Sequence, residues 1–221
     1  MKIKFCGIKR LQDVTLMNEF SPDYVGFIFS KSKRQITKVT ALMLSEKLLD
    51  TIKTVGVFVN EPIKFVVETA KFARLDVVQL HGDEDEGYII ALKKELEDVQ
   101  IWKAVRVQSI FDIEKAEILP ADMLLLDSFS KNAYGGTGEV ANLAAIIDAN
   151  IKKDFFLAGG LNSQNINQIV NKINPFGVDI SSGIELDGFK NREKIIEIVR
   201  CLQCLKKEDT VNSVDNMFQK P

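Results

Sequence analysis

The chain has 221 residues, a formal net charge of −2 from 29 basic and 31 acidic side chains, and 46% apolar residues. This is the composition of a globular chain long enough to bury a core without disulfides, and it excludes disordered, collagen-like and disulfide-dense classes. With no basic surplus to neutralise a phosphate backbone, nucleic acid is not an expected partner, although a small anion held by local groups is compatible with the balance.

The first ten residues, MKIKFCGIKR, lack an apolar core followed by a small-residue cleavage site, so no secretory signal is expected. The longest apolar stretch, residues 24–29, is far shorter than the ~20 residues of a membrane span, so no membrane association is expected. Three cysteines, Cys6, Cys201 and Cys204, form no disulfide pattern, which fits a reducing, cytoplasmic compartment.

In chain order, eight short apolar, β-branched runs predict strands at residues 3–6, 24–29, 54–59, 77–80, 101–105, 123–126, 155–158 and 177–180. Most are continuously apolar rather than alternating, the mark of strands buried on both faces of a parallel sheet. Between them lie helical stripes. Ile63, Val66, Val67, Ala70 and Ala73 form one; Ile166, Ile169, Val170 and Ile173 form another, with Asn162 or Ser163 as the expected cap and Pro175 past its end. Eight alternations of strand and helix, each of about 25 residues, predict a single α/β domain over residues 1–207: a (β/α)8 TIM barrel of eight parallel strands. Asp23, Asp76 and Asp122 each precede an even-numbered strand and are read as turn residues of the stability face. The last helix is expected over residues 192–206, and the polar stretch 208–221 as a mobile tail.

In such a barrel, chemistry sits where strands meet the following loops. The first strand ends in Cys6-Gly7; a free Cys is usually a small buried hydrophobe, but Gly7 and the basic residues after it would favour a thiolate there. The sixth strand ends in Leu124-Leu125-Leu126-Asp127, and a carboxylate after three leucines is expected at the mouth, before a glycine-rich loop, Gly135-Gly136-Thr137-Gly138, that can fold over a ligand. Gly159 and Gly160 after the seventh strand, with Ser181, Ser182 and Gly183 after the eighth, form a phosphate-binding pattern. Arg34, in the basic loop after the second strand, suits a planar carboxylate. The lone histidine, His81, has no second His or Cys nearby, so no metal site is expected. Cys201 and Cys204 lie late in a helix whose apolar face is Ile195, Ile198, Val199 and Leu202, and are read as incidental.

Taken together and in order, KFCG, SKR, VGVF, VQLHG, LLDS, GGTG, LAGGL and GVDISSGIE resemble the phosphoribosylanthranilate isomerase family of tryptophan biosynthesis, from Lys4 to about Arg200. Phe5 stands where that family usually has Ile, a change expected to affect packing only. The resemblance implies an Amadori rearrangement of a small phosphorylated substrate without metal or organic cofactor, by a monomer or weak homodimer. It assigns the general base to Cys6 and the general acid to Asp127, with a raised carboxyl pKa and a lowered thiol pKa expected of the pair. It further implies that Arg34 takes the substrate carboxylate, that Asp179 orients the substrate and that His81 supports the base side. The rival readings are the analogous Amadori isomerase of histidine biosynthesis, which has an aspartate where Cys6 stands, and a phosphate-binding barrel kept as a regulatory module.

Overall fold

The computed structural model describes residues 1–127 and 143–217, with side chains as far as Cys204. The order is β1 (Lys2–Cys6), α1 (Leu11–Phe20), β2 (Tyr24–Ile28), α2 (Lys38–Ser45), β3 (Lys53–Phe58), α3 (Ile63–Ala73), β4 (Val77–Leu80) and α4 (Glu86–Glu95). It continues with β5 (Gln100–Arg106), α5 (Ile110–Glu117), β6 (Met123–Asp127), α6 (Leu143–Asp148), β7 (Phe155–Ala158), α7 (Ile166–Ile173), β8 (Gly177–Ile180) and α8 (Arg192–Met217). Between β8 and α8 lie a 3-10 turn at Ser182–Ile184 and a small antiparallel ribbon, β9 (Glu185–Leu186) with β10 (Phe189–Lys190). Strands β1 to β8 pair in sequence order, all parallel, and β8 closes on β1. The predicted barrel is therefore formed.

Strand period two sorts side chains to two cores. Phe5, Val25, Phe27, Val78, Leu80, Leu124 and Leu126 point outward and pack under the helices. Phe5, the departure from the family's usual Ile, is fully buried there. Val55, Val77, Trp102, Ala104, Met123, Leu125, Phe156 and Ala158 fill the barrel interior. Trp102 stacks on Phe156 with centroids 4.9 Å apart, and Tyr24 meets both edge-on. This aromatic plug leaves the polar inward positions to the opposite, C-terminal end.

The three aspartates form a repeated clamp. Asp23, Asp76 and Asp122, at the foot of β2, β4 and β6, each accept the backbone N–H at the foot of the preceding strand: Ile3 at 2.9 Å, Thr54 at 2.7 Å and Ile101 at 2.7 Å. The other oxygen of each faces a lysine, Lys2, Lys53 or Lys93.

Two helix boundaries differ from expectation. Helix α7 starts at Ile166 with Asn165 at its N-cap, not Asn162 or Ser163; the Asn162 carboxamide instead accepts the Gln164 N–H inside the entering turn. Helix α8 runs to Met217, past residue 206. No Gly or Pro interrupts residues 192–217, so the helix propagates beyond its apolar stripe. The loop Gly135-Gly136-Thr137-Gly138 lies outside the described residues.

Candidate active site

At the C-terminal mouth the inward parity of the strands gathers the polar residues: Lys4 and Cys6 on β1, Gln79 and then His81 on β4, Asp127 on β6, Asp179 and then Ser181 on β8. Cys6 is buried, at 6% exposure. Its carbonyl accepts hydrogen bonds from Ser181 Oγ at 3.0 Å and Lys190 Nζ at 2.6 Å, so the end of β1 is tied to β8 and β10. Gly7 follows with φ +84°, and a Cβ there would fall 2.5 Å from Arg34 Cδ. Only glycine lets the chain turn out of β1 beneath that arginine. The expectation of an open site with a lowered thiol pKa is corrected. Burial pushes the Cys6 thiol up, with Asp179 adding to the push, and Lys4 and Lys190 pull against it without prevailing.

Across the mouth, the Asp127 side chain is 23% exposed at the end of β6, as expected of a carboxylate following buried leucines. His81 Nε2 lies 3.5 Å from Asp127 Oδ2, and its Nδ1 lies 3.1 Å from Gln79 Nε2. The imidazole thus bridges Gln79 and Asp127. His81 therefore serves the side of Asp127, not the side of Cys6 as expected. The reason is register: β4 and β6 flank β5, whereas β1 is on the far wall.

Arg34 reaches the mouth, but its fork is already engaged. Its Nε and Nη2 donate to Glu185 Oε1 and Oε2 at 2.8 and 2.6 Å, and Lys190 Nζ donates to the same carboxylate at 2.8 Å. Burial would raise the Glu185 carboxyl, yet the Arg34 and Lys190 hydrogen bonds hold it down to about 2. Asp179 accepts from Lys4 Nζ through Oδ2 at 2.9 Å, while its Oδ1 is buried without a hydrogen-bond partner. Among the described residues no donor meets that oxygen.

The glycine and serine turns after β7 and β8 do converge. Gly160, Asn162, Ser163, Ser182, Gly183 and Lys194 line a polar cleft of about 460 Å³. Gly159 and Gly160 both have positive φ, and a Cβ on Gly183 would lie 1.9 Å from the Leu161 carbonyl oxygen, so the two turns are packed backbone to backbone. Ser181 stands apart from this cleft, its hydroxyl being spent on the Cys6 carbonyl. Among the described residues no cluster of three or more His, Cys, Asp or Glu is arranged for a metal. Cys204 is exposed, and Cys201 donates to the carbonyl of Ser163, a residue of this cleft, from the helix behind it.

Lys4, Glu185 and Lys190 were not singled out from sequence. Lys4 carries a signal, being two residues before Cys6 and hence on the same strand face. Glu185 ends the GVDISSGIE motif but was given no role, and Lys190 carries no signal, because the ribbon that presents them has no periodic pattern.

The chain matches the family model described as N-(5'phosphoribosyl)anthranilate (PRA) isomerase over residues 3–201. It is 42% identical over 203 residues to the N-(5'-phosphoribosyl)anthranilate isomerase of Thermoanaerobacter sp. (strain X514), covering 90% of this chain and 98% of that one. Its structure is similar to that of phosphoribosyl anthranilate isomerase from Thermotoga maritima, with a TM-score of 0.82, 32% identity and coverage of 92% and 98%. A phosphoribosyl anthranilate isomerase in complex with reduced 1-(o-carboxyphenylamino)-1-deoxyribulose 5-phosphate is similar at a TM-score of 0.78, again 32% identical with coverage of 92% and 98%. The match runs through every strand of the barrel and spans its relatives nearly end to end: the chain belongs to the N-(5'-phosphoribosyl)anthranilate isomerase family.

Proposed function

We propose that the chain catalyses the Amadori rearrangement of N-(5'-phosphoribosyl)anthranilate to 1-(o-carboxyphenylamino)-1-deoxyribulose 5-phosphate in tryptophan biosynthesis, with Asp127 as general acid and Cys6 as general base. Asp127 donates a proton to the furanose ring oxygen as the C1′–O bond breaks, which leaves a protonated imine. Cys6, as thiolate, removes the proton from C2′, and the C–H electron pair moves to give an enolamine. Protonation at C1′, with loss of the proton of the C2′ hydroxyl, then yields the ketone. Product and substrate are isomers, so the sequence consumes no cofactor.

The observation that carries this reading is the placement of Cys6 and Asp127 at the C-terminal ends of β1 and β6, on inward positions of one mouth. The family match and the ligand of the related complex agree with it. We assign the substrate phosphate to the cleft between Gly160 and Ser182, a ribose hydroxyl to the unpartnered Oδ1 of Asp179, and the anthranilate carboxylate to Arg34, whose plane Glu185 holds. The protein is read as a cytoplasmic monomer or weak homodimer; none of its described helices is long and apolar enough to cross a membrane. Purified protein given freshly made phosphoribosylanthranilate should extinguish the substrate's anthranilate fluorescence. Protein that is folded and leaves that signal unchanged would refute the assignment.

A further inference from the structure

The reading of Cys6 as a base leaves a physical difficulty: the thiol is buried, and burial favours its neutral form. A thiolate in such a place needs a counter-charge built into the protein.

Lys4 sits one strand period, about 7 Å, below Cys6 on the same inward face of β1. Its side chain is wholly buried, at 0% exposure. A buried ammonium costs several kcal/mol of lost hydration, and a methionine or leucine would fill the same volume without that cost. Among the described residues its ion-pair partner is Asp179, its register neighbour on β8, bonded at 2.9 Å through a single oxygen. The pair is thus built into the floor directly under the mouth.

We propose that Lys4 is a positioning residue for the base: its buried ammonium, anchored by Asp179, is the counter-charge that stabilises the Cys6 thiolate. This rests on the reading of Cys6 as the base. The other charged groups around the sulfur are accounted for. Lys190, on β10, spends its hydrogen bonds on the carbonyls of Cys6 and Ser181 and on Glu185, which it shares with Arg34. Arg34, on the loop after β2, is paired with Glu185. From β2 Gly26 packs against the sulfur, and it brings no charge. Asp179, on β8, opposes the thiolate. Lys4 is the cation that stands on the sulfur's own strand face, and Asp179 meets it through one oxygen only, the other being buried without a hydrogen-bond partner. The direction of the titration agrees. Burial works against the Lys4 charge, but Asp179 and Cys6 together hold it above its ordinary value, and among the groups that lower the Cys6 thiol Lys4 is the strongest.

The test is a titration of Cys6 without substrate, in a Cys201→Ser/Cys204→Ser background where Cys6 is the one remaining cysteine. The rate of iodoacetamide alkylation is followed against pH by intact mass. Lys4→Met should raise the apparent thiol pKa by about one unit or more, leaving about tenfold less thiolate at neutral pH. Asp179→Asn should lower it. The double variant Lys4→Met/Asp179→Asn, which removes both buried charges and leaves neither unpaired, should fall between wild type and Lys4→Met. The double variant decides the matter if Lys4→Met does not fold. The kcat of Lys4→Met should fall in step with its thiolate fraction and recover as pH rises. A thiol titration unchanged from wild type in the folded double variant and in Lys4→Met would overturn the proposal. Turnover by Cys6→Ala would instead remove the base reading while leaving the measured coupling of Lys4 to the sulfur intact.

Discussion

The two ends of the barrel use the same residue type in opposite ways. At the N-terminal end, Asp23, Asp76 and Asp122 have both oxygens committed, one to a strand amide and one to a lysine. At the C-terminal end, Asp179 keeps a buried oxygen without a partner, and Asp127 lies part-exposed against a histidine. A carboxylate with every acceptor filled holds strands in register. One with a buried acceptor left open, as at Asp179, is costly to keep. The same division separates the lysines: Lys2, Lys53 and Lys93 pair on the surface, whereas Lys4 and Lys190 are buried beneath the mouth.

The comparison breaks most sharply at β1. Cys6→Ala should nearly abolish turnover with the fold retained, because no other side chain of β1 at the mouth can accept the C2′ proton. Turnover near wild type, with unchanged circular dichroism, would move the base elsewhere. A smaller effect is expected at Arg34. Arg34→Ala should raise KM about tenfold or more, the usual worth of a lost charge-assisted hydrogen bond, with a lesser change in kcat. Steady-state kinetics that leave kcat/KM unchanged would take Arg34 out of the substrate site.

Acid should loosen the mouth at Glu185. The Glu185 carboxyl is held down to about 2 in the folded chain, below the ~4.3 of an unfolded glutamate. Its contribution is therefore fully present above the unfolded value and is lost as pH falls from there through about 2. The loss should be on the order of 2 kcal/mol, read as a fall in Tm with pH that is flattened in Glu185→Gln. The smallest effect is expected at the C-terminal helix: Cys201→Ala/Cys204→Ala should be close to neutral in both kcat and Tm. Lost activity in that folded double variant would mean the pair is not incidental.

Much of this division was legible in the chain. Continuously apolar strands between amphipathic helices determine the barrel, and strand ends then determine which residues reach the mouth, so Cys6, Asp127 and the turns after β7 and β8 could be picked out one by one. The Asp23, Asp76 and Asp122 repeat was visible for the same reason, as a spacing. What depended on neighbours across the sheet was not legible. His81 meets Asp127 because β4 and β6 flank β5. Arg34 meets Glu185 over 151 positions of sequence, through a ribbon of two-residue strands with no pattern. The state of the Cys6 thiol depends on burial against charges from β1, β8 and β10, and the motif alone suggested the wrong direction.

The pairing of function with the open end and stability with the closed end is tested most directly by one matched comparison: kcat and Tm measured on Asp127→Asn and Asp122→Asn side by side. Asp127→Asn should lose 10²–10⁴-fold in kcat, the usual worth of a general acid, with Tm near wild type. Asp122→Asn should keep wild-type kcat and lose stability, by about 1 kcal/mol for the weakened clamp on Ile101. Near-wild-type kcat in Asp127→Asn, or an equal loss of kcat in both variants, would contradict the account.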